Sequence, residues 1–529
     1  MKKLDVGNPS FEKLVTNGDL YIDKTSYLHA LVSNGTYYIC SRPRRFGKTL
    51  AISTLESLFK GRRELFKGLA IDSLEYDWKK HPVLHFDFGT CQANDASDVE
   101  SWINFTLSCI ADEYDLKIEF GDKYYQNMTA LIGALSKKEK VVILVDEYDK
   151  VLTSNLYNPN VESMRDVMRG FFEVIKASFD DIRFVFITGV TKYAKLSVFS
   201  SMNNLNDISM DERFSGLFGY TQNELEESFA EFIECGIEST GIDKDLYMKK
   251  LKAKYDGYRF SIQGESVYNP VSIGMFFAKG GRSFDNYWAD TGNMKLLMDL
   301  SRKVRFDVDS SLSAPLDISN ISDFDITEMS KANVGIPQLK ALLLQAGYLT
   351  IKGSDDDGYS LFVDYPNDEV RSSFVSRLMN IYTGVDSDVS YSPERILIAF
   401  SNGDTERAIQ ILRSIFASVP YNLESSDSEA NYHAMFHCMM KAIGADLNSE
   451  IATNKGRIDS VLRTKEHIYL IEFKKEKPAR TALEQIKGKE YSERYEAWRN
   501  TDEWRSIHLL GIGFDTKARN IGDWIEEVI

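Results

Sequence analysis

The 529-residue chain carries 63 Lys and Arg against 79 Asp and Glu, for a formal net charge of −16, with 43% hydrophobic and 12% aromatic residues. Its length and apolar content provide for about two to four domains with real cores, and its acidic balance argues against broad nonspecific binding of nucleic acid. No stretch approaches the roughly eighteen apolar residues of a membrane span, and Met1 to Asp5 lacks an apolar signal core, so a cytoplasmic protein without a membrane partner is expected.

The first informative element is an apolar strand, Thr36 to Cys40, leading through Ser41-Arg42-Pro43-Arg44-Arg45-Phe46-Gly47-Lys48-Thr49 into an amphipathic helix from Leu50 to Phe59. A Gly-Lys-Thr at a strand-to-helix turn aims backbone N–H groups and the helix dipole at a phosphate chain. Lys48 then reaches the β and γ phosphates and Thr49 holds magnesium. Arg42 stands where the general pattern has its first glycine. The candidate nucleotide-binding residues of the loop are Arg44, Arg45, Phe46, Gly47, Lys48, Thr49 and Leu50. Arg44 and Arg45 flank it, either as contacts to phosphates of this or a neighbouring subunit's nucleotide or, more plainly, as packing and surface charge.

Val141 to Val145 is a continuous apolar run ending in Asp146-Glu147, as for a strand buried on both faces of a parallel sheet. This is where a Walker B pair belongs. Asp146 is the candidate magnesium ligand, direct or through water, and Glu147 the candidate catalytic residue that orients or deprotonates the attacking water. A helix from about Val161 to Ala177 precedes a third strand, Arg183 to Val190. Thr188 falls at the carboxyl end of that strand, where α/β sheets bind ligands. Thr188, Asn203 and Asn204 are therefore candidates for sensing the γ-phosphate.

The run Arg42 to Thr49, with Tyr21-Ile22-Asp23-Lys24-Thr25 before it and Val145-Asp146-Glu147-Tyr148-Asp149-Lys150 after it, resembles the bacterial AAA-ATPase-like family of P-loop proteins. Thr188-Gly189-Val190, Phe199 to Asp207, Tyr255 to Phe260, Tyr268-Asn269-Pro270, Tyr287-Trp288 with Thr291-Gly292, Gly347 to Thr350 and Tyr365-Pro366-Asn367 are similar to its other blocks. The resemblance covers almost the whole chain, and it implies ATP or a related nucleotide as ligand; arginine at the position of Arg42 is usual in the family.

Beyond the nucleotide domain, apolar spacing predicts helices over Glu224 to Phe232, Leu246 to Tyr255, Met294 to Leu300 and Ile336 to Ala346, a lid and adaptor region. Phe306 to Asp325, rich in Asp and Ser, reads as a long surface loop. Leu349 to Lys352 and Ser360 to Asp364 read as a hairpin whose turn, Gly353 to Gly358, is a soluble acidic turn and not a calcium loop. Tyr382 to Pro393 reads as a linker. The five cysteines, Cys40, Cys91, Cys109, Cys235 and Cys438, have neither CxxC nor His pairing, and are expected to be buried thiols.

At the C-terminal end, Gly456 to Leu462 reads as a strand, Arg463 to Glu466 as a turn, and His467 to Lys474 as the partner strand. Alternation puts Ile468, Leu470, Glu472 and Lys474 on one face and Tyr469, Ile471 and Phe473 on the other. Asp459 and Glu472 could hold one or two magnesium ions, with manganese an alternative, while Lys474 orients a water and stabilises developing charge, an apparatus for cutting phosphodiesters. Ile-Asp-(x)12-Glu-x-Lys is the pattern of the PD-(D/E)xK nuclease superfamily, and the segment resembles the nuclease-like domain that often follows an AAA-ATPase-like one. By that resemblance Glu429 to Phe436 is the superfamily's first helix, making Glu429 a further metal ligand, and Gln485, Lys487 and Tyr491 lie on a helix beside the site. Lys474, Lys475, Lys477, Arg480, Lys487 and Lys489 form a local basic cluster, with ordinary solvated lysines the alternative.

The expectation is an α/β chain: an AAA-like P-loop parallel sheet over residues 1–222, a mainly helical lid with a hairpin over 223–382, and a restriction-endonuclease-like α/β domain over 394–529. Its function would be ATP binding and hydrolysis coupled to metal-dependent cleavage of nucleic acid, DNA ahead of RNA; self-association into a homo-oligomer stays open. The alternative is an ATP-dependent switch or scaffold whose nuclease-like domain binds nucleic acid or protein without cutting.

Overall fold

The computed structural model describes residues 2–192, 199, 202, 204–288, 297, 300–301, 312, 314–322, 335–383, 394–417, 436–437, 440, 445–453, 455–500 and 506–529. The chain divides into two compact units, one of residues 1–292 with 315–369, the other of 293–314 with 370–529. Glu429, Asn203, Thr291, Gly292, Cys438 and most of Met294 to Leu300 and of Tyr382 to Pro393 lie outside the described residues.

The first unit is organised by a five-stranded sheet: β1 (Tyr37–Ser41), β2 (Val83–Asp87), β3 (Val141–Asp146), β4 (Ile182–Gly189) and β5 (Asn206–Asp207), in the order β2-β3-β4-β1-β5. Every pairing in it is parallel. Every residue of β1 and β3 is buried, which is why both read as unbroken apolar runs instead of alternating ones. The helix Val161–Ala177 buries Met164, Met168, Phe171, Phe172 and Ile175 at helical spacing.

The helical part of this unit departs from the expected spans for local reasons. Glu224 to Phe232 is two helices, Gln222–Ser228 and Ala230–Thr240, meeting at Phe229; a capping box between Thr221 and Glu224 opens the first. Part of the expected loop from Phe306 to Asp325 is ordered: β6 (Leu316–Asp317) pairs with β8 (Ser360–Asp364), which pairs with β7 (Thr350–Ser354), and a short helix spans Ser319–Ser322. Cys40 and Cys91 are buried, but Cys109 and Cys235 are exposed, because each falls on the solvent side of an amphipathic helix.

The second unit is built on a mixed sheet of β9 (Asp446–Ala452), β10 (Arg457–Arg463), β11 (His467–Lys475), β12 (Ser506–Asp515) and β13 (Asn520–Val528), ordered β13-β12-β11-β10-β9. Only β11 and β12 run parallel, so their connection must cross over; the helix Ala479–Gly488 lies within it. Both faces of the sheet are covered, as the alternation in β11 requires. Tyr469, Ile471 and Phe473 pack with Phe400, Ile409 and Leu412 of two helices, Glu394–Ser401 and Thr405–Ala417. Ile468 and Leu470 pack on the other face with Leu483, Ile486 and Tyr491. Tyr491 does not share the helix of Gln485 and Lys487; it opens a separate 3-10 segment, Tyr491–Asn500. No described helix is long and apolar enough to cross a membrane.

Candidate functional site

In the first unit the turn after β1 leads into the helix Lys48–Phe59, with Gly47 at the N-cap in the left-handed region, φ 90°. Any other residue would be strained there. Lys48 is buried, and its Nζ donates to the carbonyls of Arg42 and Pro43, each at 2.9 Å. Burial pulls its ammonium below the ordinary value, against the opposing pull of Asp146, Asp149 and Glu147. Thr49 Oγ1 donates to Asp146 Oδ2 at 2.6 Å. Asp146 Oδ1 accepts from Thr188 Oγ1 and, at 2.9 Å, from the Glu147 amide. The structure thus brings Thr49, Asp146 and Thr188 into one hydrogen-bonded chain at the carboxyl edge of the sheet. Thr188 is fully buried and braces Asp146, whereas Asn204 is exposed.

Glu147 adopts φ 49°, an uncommon conformation for a residue with a side chain, and joins the lining of a pocket of about 540 Å3. Burial raises its carboxyl above the ordinary range. Arg44 to Leu50 line the same pocket. Arg45 is exposed at φ 70°, while Phe46 is buried edge-on against Tyr258 and Phe260, 4.8 and 5.3 Å between ring centroids. Phe46 therefore anchors the loop.

Arg42, in the position of the absent glycine, is an interior residue only 1% exposed. Its guanidinium lies 4.3 Å from the centre of the Phe260 ring and donates to the carbonyls of Ser41 and Ser209 at 3.0 and 2.6 Å. The loop is held from outside as well, where Trp288 Nε1 donates to the Arg44 carbonyl at 3.2 Å.

The pocket is lined as well by residues the sequence did not single out. Leu4 to Pro9, Tyr220, Phe229, Val271 and Gly274 line it. A Cβ on Gly274 would come within 3.1 Å of the Val6 side chain, so glycine lets the N-terminal segment close over this helix. Lys24 also reaches the lining, but its ammonium is taken by both Glu224 oxygens, at 2.7 and 2.6 Å, and by the Gly216 carbonyl at 2.6 Å. It ties the N-terminal segment to the helix Gln222–Ser228. A cleft of mixed polar and apolar lining that includes the Gly47-Lys48-Thr49 turn has the size and chemistry to take a nucleotide. Thr49 and the nearby carboxylates offer the hard oxygen donors that magnesium prefers.

In the second unit the pairing of β10 with β11 ends at Ser460 and Ile471, with Asp459 and Glu472 the next residues along the two strands. Asp459 Oδ2 accepts from the Phe473 amide at 2.9 Å. Glu472 is 1% exposed, and its Oε1 accepts from Lys474 Nζ at 2.8 Å and from Gln485 Nε2. Its Oε2 is buried and, among the described residues, has no hydrogen-bond partner. Burial, reinforced by the Asp459 charge, pushes the Glu472 carboxyl up to about 7. An unsatisfied buried carboxylate oxygen next to a second carboxylate suits a divalent cation.

Gln485 reaches Glu472 because the helix Ala479–Gly488 lies very close on the sheet. Glu472 is beside Gly511 of β12, where a Cβ would come within 2.4 Å of the Ala479 carbonyl oxygen. Lys487 pairs with Glu527, and Arg480 with Glu484 at 3.4 Å, so neighbouring carboxylates neutralise part of the expected basic cluster. Among the described residues no group of three or more His, Cys, Asp or Glu gathers in a way that could hold a metal ion.

Residues 5–199 match the family described as "Predicted AAA-ATPase", and residues 427–524 match the PD-(D/E)XK nuclease superfamily. The chain is also 34% identical over 546 residues to a protein of Azotobacter chroococcum mcd 1, "Uncharacterized protein in vnfD 5'region", an alignment spanning 99% of each chain.

Proposed function

Because the chain belongs to the family of AAA-ATPase-like proteins with a C-terminal PD-(D/E)XK nuclease-superfamily domain, we propose that it binds and hydrolyses ATP and couples the nucleotide to metal-dependent cleavage of nucleic acid, DNA ahead of RNA, in the cytoplasm. The nucleotide half rests on Lys48, Thr49 and Glu147 lining a single pocket, with Asp146 hydrogen-bonded to the Thr49 hydroxyl. Lys48 brings positive charge to the β and γ phosphates, and Asp146 orients the Thr49 hydroxyl. Glu147 accepts a proton from the attacking water as the new bond to the γ-phosphorus forms and the bond to the ADP oxygen breaks; its raised carboxyl suits that task. Magnesium, held at Thr49 and Asp146, would neutralise charge on the phosphates.

The nuclease half rests on Glu472, buried, with one oxygen unpartnered among the described residues and Asp459, Lys474 and Gln485 around it. Asp459 and Glu472, with Glu429, would hold a divalent cation that polarises the scissile phosphate and acidifies a water. Lys474 orients that water and balances the charge that builds up on the phosphate. One observation favours a second reading, a nucleotide-dependent switch that binds without cutting: Glu472 Oε1 is already engaged by both Lys474 and Gln485.

The nucleotide half is tested by titrating ATP and following phosphate release. Lys48→Ala should abolish binding, while Glu147→Gln should keep it and slow hydrolysis about 100-fold, within the usual range for removing a general base. Undiminished hydrolysis in both variants would contradict the proposal.

A further inference from the structure

The carboxyl edge of the first unit's sheet holds an acid, Asp87, that the phosphate loop and the Asp146–Glu147 pair do not account for. β2 ends at Asp87, in direct register with Asp146 of β3. Two carboxylates therefore leave adjacent strands at the edge where such sheets take ligands. Their hydrogen bonding differs. Asp146 has both oxygens engaged by the protein, Oδ2 by Thr49 and Oδ1 by Thr188 and the Glu147 amide. Asp87 accepts only through Oδ1, from the Gly89 amide at 2.9 Å; among the described residues its Oδ2 has no hydrogen bond or ion pair.

Gly89 connects Asp87 to the pocket. It lines the pocket together with Glu147, and a Cβ placed on it would lie 2.8 Å from Asp87 Oδ1 and 2.9 Å from Glu147 Oε2. Both side chains thus crowd the same glycine, with no room there for a methyl group.

We propose that Asp87 is a positioning residue of the ATP site: its unused oxygen accepts from water carried by the magnesium ion that accompanies ATP, while Asp146 holds the Thr49 hydroxyl. The inference rests on the ATP-binding reading. Magnesium dehydrates reluctantly and keeps several waters, whose protons need acceptors, and groups in that outer layer commonly set metal affinity within a factor of about 10 to 100.

The bond from Gly89 also caps the short 3-10 turn Phe88–Thr90, a role asparagine fills as well as aspartate. Asp87→Asn therefore keeps the cap and removes the charge. The test measures the affinity of the full-length protein for a fluorescent ATP analogue in EDTA and again in excess magnesium. Wild type should bind more tightly with magnesium. D87N should bind as wild type does in EDTA and lose about tenfold of the magnesium enhancement, with Asp87→Glu restoring part of it. An unchanged enhancement in D87N overturns the proposal. If D87N weakens binding in EDTA too, Asp87→Ser, which also caps the turn, is measured the same way; equal losses in both conditions would assign Asp87 to packing and overturn the metal role. Failure of wild type to bind the analogue, or binding by Lys48→Ala equal to wild type, would instead sink the ATP-binding reading.

Discussion

Glu472 shows how a single side chain carries the nuclease reading. Burial disfavours its charge and Asp459 adds to the effect, so its folded value is about 7 against an ordinary 4.5. The folded protein then binds this proton more firmly than the unfolded chain does. Stability from this group is fullest below about pH 4.5 and falls as pH rises to about 7. A cation must displace the proton, so affinity for manganese should rise about tenfold per pH unit up to roughly pH 7 and then level off. Calorimetric titrations between those limits check this, and Glu472→Gln should lose both the affinity and its pH dependence. A wild-type affinity that is flat with pH would remove Glu472 from the metal site.

At the same scale, contiguous residues were legible in the sequence and dispersed ones were not. Gly47-Lys48-Thr49 and Asp146-Glu147 declare themselves because their chemistry needs neighbours along the chain. Asp87 ends a strand of ordinary appearance, and only the pairing of β2 with β3 gives it meaning. Leu4 to Pro9 and Gly274 reach the pocket lined by Lys48 and Thr49 only through folding. Arg42 was visible as a departure from the glycine pattern, but its burial against Phe260, more than two hundred positions away, was not.

Among the elements, those with one dominant period were readable. The helices Val161–Ala177 and Ile336–Ala346 lie where apolar spacing put them, and the alternation of β11 correctly divides the two layers of the second unit. The break at Phe229 was hidden because apolar spacing continues through it while the capping box fixes only where the first helix starts. β2, β9, β12 and β13 were not singled out, having no motif of their own. Within β12, Gly511 is the residue on which the site's geometry depends. Gly511→Ala would drive a methyl group into the backbone of the helix Ala479–Gly488. It should cost about 1–3 kcal/mol, as overpacking does, and move Gln485 off Glu472. Thermal denaturation measures the first effect and manganese affinity the second; a variant unchanged in both would show that the close approach is not needed.

For the whole molecule, two units each carry their own constellation on their own sheet. One has the residues to bind a nucleoside triphosphate and the other the residues to hold a divalent cation at a phosphodiester. This chain joins both parts in one polypeptide, and linkage requires that any influence of ATP on cleavage come from a difference in ATP affinity between the protein's states.

The most direct test of that claim is cleavage of a panel of single- and double-stranded DNA and RNA in magnesium or manganese, with and without ATP, by wild type and Asp459→Ala. The account predicts metal-dependent cleavage of DNA by wild type, altered by ATP and absent in Asp459→Ala. No cleavage of any substrate in either metal, with or without ATP, would contradict it and leave a nucleotide-dependent binding protein.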